Sequence, residues 1–213
     1  LHLSLRRQRQ MCIRDRDNKE VPASLTIVGG GVIGMEFASF FTSLGVQVTV
    51  VEMLDEILGG MDKELSAMLR AEYAKKGIKF LLSTKVVGVS KGETGITVSY
   101  ENADGTGTVT ADKLLMSVGR RPVTKGFGLE NLNLEWTERR CIKVDEHLQS
   151  SVPGVYVCGD LNGVSLLAHT AVREAEVAVH HITGKEDVMS YRAIPGVVYT
   201  CLLYTSPSPR DTR

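Results

Sequence analysis

Apolar positions along this chain fall into short runs, each stopped by glycine. Residues 25–28 form a β-type apolar run that ends at three glycines, and residues 32–44 follow with helix-spaced apolar positions until Gly45. Residues 46–51 are rich in β-branched side chains, suit a parallel strand covered on both faces, and end on Glu52. Strand, tight turn, helix and strand make a βαβ unit. The spacing predicts a further helix over residues 61–76. Asp62 and Glu64 lie near its start and Lys75, Lys76 and Gly77 at its end, complementing the helix dipole and cap. A third strand is predicted over 78–82.

The periodicity then changes from 3.6 to 2. Residues 85–90, 96–100 and 106–110 are short alternating runs separated by glycine-containing turns such as Asn102-Ala103-Asp104-Gly105. They predict an antiparallel meander inserted in the α/β unit. Residues 114–118 return as a strand that stops at Gly119-Arg120-Arg121-Pro122. Beyond Pro122 the pattern loosens until the β-type run 155–158, which leads into Gly159-Asp160, and a helix is predicted over 166–182, ended by Gly184.

The two ends do not share this patterning. Residues 1–16 have no apolar period, and residues 201–213 are a polar tail with two prolines; both resemble translated sequencing-adapter strands rather than folded protein. A natural basic arm and a natural Pro/Ser tail are the alternative. The whole chain of 213 residues carries 25 basic and 25 acidic residues. With seven basic and two acidic residues in those end segments, the interior keeps 18 basic against 23 acidic, a net charge of −5. The basic N-terminus is therefore no argument for nucleic-acid binding. Apolar runs are too short to cross a bilayer and no signal peptide is visible, so the expected location is the cytoplasm. Cys12, Cys141, Cys158 and Cys201 are scattered, without metal-ligand or redox spacing, and the five histidines form no ligand array.

Candidate chemistry sits at the first turn. A Gly-x-Gly-x-x-Gly pattern alone is weak, but Gly29, Gly31 and Gly34 directly follow a strand and open a helix. In that context the first glycine permits the tight turn and the second lets backbone approach a pyrophosphate. The third lets the helix lie close on the sheet, with its positive end toward the phosphates. Glu52 stands eighteen residues past Gly34 at the end of the second strand, where a carboxylate accepts from ribose hydroxyls and repels a 2′-phosphate. That combination expects NAD rather than NADP. The bland alternatives are a structural turn and a solvated strand-end acid.

Three ordered motifs then converge. Ile27-Val28-Gly29-Gly30-Gly31-Val32-Ile33-Gly34-Met35-Glu36, Val118-Gly119-Arg120-Arg121-Pro122 and Val155-Tyr156-Val157-Cys158-Gly159-Asp160 together resemble the pyridine nucleotide-disulfide oxidoreductases. Gly60-Met61-Asp62-Lys63-Glu64, and Lys75 through Phe80, resemble the branch of that family that oxidises dihydrolipoyl groups. The resemblance implies an α/β fold: a Rossmann-type NAD-binding domain with a parallel sheet and inserted antiparallel β-meander, plus a partial FAD domain. The implied division is an NAD-binding domain over 20–122, the C-terminal part of an FAD-binding domain over 123–190, and the start of a dimer-interface domain over 191–200.

The resemblance also assigns site residues. Gly29, Gly31, Val32, Ile33, Gly34, Glu36, Glu52, Val86 and Gly119 would contact NAD, with Glu36 beside the nicotinamide, Val86 at the adenine and Gly119 backbone at the nicotinamide end. Gly159, Asp160, Leu166, Leu167, Ala168 and His169 would contact FAD, the Asp160 carboxylate through a ribityl hydroxyl, Gly159 by letting the cofactor approach, and residues 166–169 through the backbone amides of the helix start. For Glu36 a solvated helix acid, for Val86 strand packing, for Gly119 and for Gly159-Asp160 an ordinary turn, and for residues 166–169 an ordinary helix N-terminus remain open.

Family members also carry an earlier glycine-rich flavin motif, a redox-active cysteine pair and a C-terminal His-Glu pair, and these 213 residues contain none of them. No catalytic residue is therefore expected in this chain, and it is expected to be inactive alone. The implied parent activity passes electrons from a dithiol through FAD to NAD. The implied parent is a homodimer bound to the lipoyl-bearing acyltransferase of a 2-oxo acid dehydrogenase complex, with no nucleic-acid or membrane partner. Another NADH-linked flavoprotein disulfide reductase or NADH oxidase, or a stand-alone NAD-binding module, are the competing readings.

Overall fold

The structure is a computed structural model that describes residues 20–93 and 95–200. The end segments 1–16 and 201–213, read above as adapter-like and containing Cys12 and Cys201, lie outside the described residues. The chain divides into two compact units. One comprises the described residues up to Gly119 together with the segment from Val197; the other is Arg120–Gly196.

In the first unit β1 (Ser24–Val28), β2 (Gln47–Val51), β3 (Lys79–Leu81) and β7 (Lys113–Met116) form one parallel sheet in the order β3-β2-β1-β7. Helix α1 (Val32–Ser43) links β1 to β2, and α2 (Lys63–Lys75) links β2 to β3. Leu25 and Ile27 of β1 and Val48 and Val50 of β2 pack against Met35 and Ala38 of α1 and Tyr73 of α2, all nearly or fully removed from solvent. Burial of this apolar surface is what holds the helices to the sheet. Both helices match the predicted elements, each slightly shorter. The start of α2 moves to Lys63 because Asp62 takes the N-cap, its carboxylate accepting from the Glu64 and Leu65 amides.

Strands β4 (Lys85–Gly92), β5 (Gly95–Asn102) and β6 (Gly105–Ala111) form the predicted antiparallel meander. The register shifts between Val86 and Gly88, and Val98 at the centre is fully buried. Asp112 ties the meander's exit to the parallel sheet: its carboxylate accepts from the Ala23 and Ser24 amides at 2.8 and 3.0 Å.

The second unit is mostly loops around two small apolar clusters, one on Leu134, Ile142 and Val157, the other on Leu148, Val177 and Ala178. Here two predictions are corrected. The run 155–158 is not a strand: its β-rich composition suits one, but no described strand lies alongside to make a ladder, and it forms only the isolated antiparallel bridge Gln149↔Tyr156. The final helix, α3 (Ala168–Ile182), starts two residues later than predicted, with Leu167 as its N-cap in extended conformation. Ala193 to Thr200 adds no strand to either sheet.

Candidate functional site

The glycine turn and Glu52 sit together at the C-terminal edge of the parallel sheet, the edge at which open α/β sheets bind ligands. Gly29 has φ of +105°, and a Cβ there would run into the Ser117 backbone carbonyl. Gly34 sits in the first turn of α1, and a Cβ there would strike the Gly29 carbonyl oxygen. Helix and strand therefore touch through two glycines, and Ser117 seals the contact by donating its hydroxyl to the Gly29 carbonyl at 2.9 Å. Gly31 differs: nothing lies within 4 Å of where its Cβ would be. The space in front of the helix is open there.

The helix end facing that open space is bare. Gly31 is the N-cap of α1 and supplies no side-chain hydrogen bond, and the first turn holds no acid. By contrast α2 has its capping aspartate and Glu64. The first amides of α1 and the positive end of its dipole are left for an anion.

Glu52 faces the same turn. Its carboxylate accepts from the Gly30 amide through Oε2 and from the Leu54 amide at 2.8 Å through Oε1. The loop after β2 completes the grip: the Leu58 amide donates to the Gly30 carbonyl at 2.8 Å, with Leu58 held at φ of 56°. Both polar groups of Gly30 are thus fixed by the segment Glu52 to Leu58. A carboxylate offers about four lone-pair positions, so Glu52, half-buried, retains acceptor capacity toward solvent.

The remaining expected nucleotide contacts are placed as follows. Val32 is half-buried and Ile33 exposed in the first turn of α1. Glu36, one turn further, is half-buried and its Oε1 accepts from the Tyr199 amide at 2.9 Å. Val86 is half-buried at the start of β4, opposite Tyr100. Gly119 is exposed beyond β7 with φ of +109° and open space at its Cβ position.

In the second unit Gly159 and Asp160 open a 3₁₀ turn, Gly159–Leu161, with Gly159 buried and Asp160 exposed. Asp160 borders a cavity of about 720 Å³ that is also lined by Arg120, Arg121, Lys125, Arg139 and Leu166. Leu166, Leu167, Ala168 and His169 are all exposed at a helix start with no side-chain cap and no acid in its first turn. An outward carboxylate, basic walls and an uncapped helix start fit a polyhydroxylated phosphate ester such as a flavin nucleotide.

Sequence reasoning missed Glu174. It is fully buried on α3, and its Oε2 accepts from the Gly159 amide. The signal was present: Thr170, Glu174, Val177 and Ala178 follow helix spacing on the buried face, so an acid stood in an apolar stripe. Cys158 is half-buried, and burial, followed by the Glu174 charge, pushes its thiol above the usual range. Such a cysteine is a poor nucleophile. Among the described residues no cluster of three His, Cys, Asp or Glu side chains is arranged to hold a metal ion, and no helix is long and apolar enough to cross a membrane.

Residues 12–175 match the pyridine nucleotide-disulphide oxidoreductase family. The chain is 39% identical over 181 residues to a dihydrolipoyl dehydrogenase of Geobacillus stearothermophilus, covering 85% of this chain and 38% of that protein. It is 42% identical over 184 residues to dihydrolipoyl dehydrogenase 3 of Pseudomonas putida, covering 85% of this chain and 39% of that protein. Among solved structures, LpdA of Mycobacterium tuberculosis superimposes with a TM-score of 0.79 at 30% identity, over 86% of this chain and 40% of that one. The flavoprotein disulfide reductase RclA of Escherichia coli superimposes with a TM-score of 0.71 at 28% identity, over 79% of this chain and 38% of that one. The chain spans about two fifths of the length of these relatives. On the match over residues 12–175, the chain belongs to the pyridine nucleotide-disulphide oxidoreductases.

Proposed function

We propose that this chain is the NAD-binding part, with a portion of the flavin domain, of a dihydrolipoyl dehydrogenase that oxidises a dihydrolipoyl dithiol and reduces NAD. The observation that carries the reading is the bare N-terminus of α1, with open space at Gly31 and Glu52 alongside. The name shared by the relatives at 39–42% identity supplies the substrate.

Each residue has a physical task in this reading. The first-turn amides around Val32 and Ile33 donate to the pyrophosphate, and Gly31 lets it approach. Glu52 accepts from the adenosine ribose hydroxyls while holding Gly30, and its charge repels a 2′-phosphate. Glu36 and Gly119 flank the nicotinamide end and Val86 the adenine. Asp160 accepts from a ribityl hydroxyl, with Gly159 allowing close approach and residues 166–169, which lead into α3, giving their amides. A flavin, when bound, supplies the two-electron relay between the dithiol and NAD.

The whole protein then works as a cytoplasmic homodimer on the lipoyl-bearing acyltransferase of a 2-oxo acid dehydrogenase complex. The 213 residues alone, which contain no redox-active cysteine pair or first flavin motif, turn over no substrate. The likeness to RclA supports a second reading, another flavoprotein disulfide reductase with the same nucleotide site.

Titration of the chain with NADH and NADPH, followed by nucleotide fluorescence, tests the first step. NADH is expected to bind at least tenfold more tightly than NADPH, a difference of about 1.4 kcal/mol. Equal affinities would remove the NAD assignment. NADH binding with no response to a dithiol is the expected behaviour of this chain.

A further inference from the structure

A buried carboxylate is a costly way to fill a core position, since an apolar side chain of similar volume does so without desolvating a charge. Glu174 occupies such a position on α3, with no exposed surface at all. Its two oxygens reach two separate segments. Oε2 accepts from the Gly159 amide, and Oε1 accepts from the Tyr191 hydroxyl at 2.8 Å. Ala171, three residues before Glu174 and on the same helix face, also meets this turn: a Cβ on Gly159 would lie 3.3 Å from the Ala171 Cβ. One face of α3 therefore carries both the packing surface and the hydrogen-bond acceptor that fix Gly159.

The consequence falls on the next residue. Asp160 follows Gly159 in the same 3₁₀ turn and is exposed at the basic cavity. With the Gly159 amide fixed, the direction of the Asp160 side chain is set from beneath. Burial, then the hydrogen bond to Glu174, pushes the Tyr191 phenol well above its usual range, so Tyr191 remains a donor to Glu174 throughout the physiological pH range.

We propose that Glu174 is the positioning residue of the flavin-facing turn, anchoring the Gly159 amide so that Asp160 presents its carboxylate to a ligand hydroxyl, with Tyr191 holding Glu174 from the other side. The ligand's identity rests on the flavin reading given above; the anchoring of the turn does not.

The test uses the full chain and has two arms. In the first, amide hydrogen exchange is read by NMR for Gly159 and for α3 amides such as that of Ala178. Glu174→Ala is expected to speed Gly159 exchange at least tenfold while the α3 amides keep their protection. Glu174→Gln is expected to stay within threefold of the wild type, because its amide oxygen accepts from Gly159 and its NH₂ donates to the Tyr191 oxygen. Should Glu174→Ala fail to fold, Glu174→Asp, one methylene too short to reach Gly159, is expected to give the same selective loss. Unchanged Gly159 protection in the Ala or Asp variant overturns the proposal, as does an equal loss in the Gln variant with α3 intact.

In the second arm FAD is titrated to millimolar concentration and followed by flavin fluorescence. Asp160→Asn and Glu174→Ala (or Glu174→Asp) are each expected to weaken FAD about tenfold, with the double variant losing no more than Asp160→Asn alone. Weakening by Asp160→Asn without any by the Glu174 variant overturns the positioning role. An FAD response that Asp160→Asn leaves untouched, beside Gly159 exchange that depends on Glu174, overturns the flavin reading and leaves the anchoring in place.

Discussion

Glu52 and Gly30 are joined through the carboxylate of one and the backbone amide of the other, from the ends of two neighbouring parallel strands. The residue expected to read a ribose is therefore also a strut of the turn that would hold the phosphates. Glu52→Ala is expected to weaken NADH at least tenfold and also to lower stability by about 1–2 kcal/mol, since the Gly30 and Leu54 amides both lose their acceptor. Fluorescence titration and urea unfolding on the same samples check both effects. Lost NADH binding with unchanged stability would show that the strut carries no load.

Two glycines in one motif predict opposite outcomes. Gly34→Ala places a methyl against the Gly29 carbonyl and 2.8 Å from the Ser117 hydroxyl oxygen, and a strand-end carbonyl cannot swing aside as a flexible side chain would. Overpacking of this kind costs about 1–3 kcal/mol. Gly31→Ala meets nothing within 4 Å, and at φ of −71° it has no backbone strain. It is expected to change stability by less than about 0.5 kcal/mol yet weaken NADH, because the methyl occupies the open space through which the pyrophosphate would approach. Unfolding curves and NADH titrations of the two variants separate fit to the sheet from fit to the ligand.

Most of the first unit could be read from the chain because its signals are local. Apolar runs ending at Gly29 and Glu52, helix spacing over α1, and glycine turns in the meander each reflect neighbours a few residues away. The second unit was harder for a physical reason: residues 155–158 have strand composition, but a strand exists only with a partner, and partners are non-local. The candidate site divides the same way. Gly31 and Glu52 announce themselves by spacing, whereas Ser117, Leu58 and Glu174 act on glycines far from them in sequence. Of these only Glu174 left a trace, as an acid within an apolar stripe.

Asp62 tests whether α2 is stabilised independently of the nucleotide site. Its carboxylate accepts from the Glu64 and Leu65 amides at 2.9 and 3.1 Å. Asp62→Ala is expected to lower stability by about 1 kcal/mol, with NADH affinity unchanged within twofold. A loss of NADH affinity matching that of Glu52→Ala would mean that α2 and the turn share one cooperative element.

Acid sensitivity should concentrate at Asp187. Its Oδ1 accepts from the Arg173 guanidinium at 2.6 Å, and its Oδ2 lies 2.6 Å from Nδ1 of His180. Arg173 first, and His180 second, pull the carboxyl down to about 2. A carboxylate whose folded value lies below its unfolded value of about 3.9 stabilises the fold fully above that unfolded value. The contribution fades as pH falls through the folded value, because the unfolded chain takes up the proton first. Glu56, lowered chiefly by its hydrogen bond to Arg70, acts in the same sense. Thermal midpoints measured from pH 6 to pH 2 are therefore expected to fall, and to fall less steeply in Asp187→Asn. Glu56→Gln should flatten the profile too, and the double variant should flatten it further, since the two pairs share no partner. A profile in Asp187→Asn as steep as the wild type's would show that the Arg173–Asp187–His180 contacts hold no more in the folded chain than in the unfolded one.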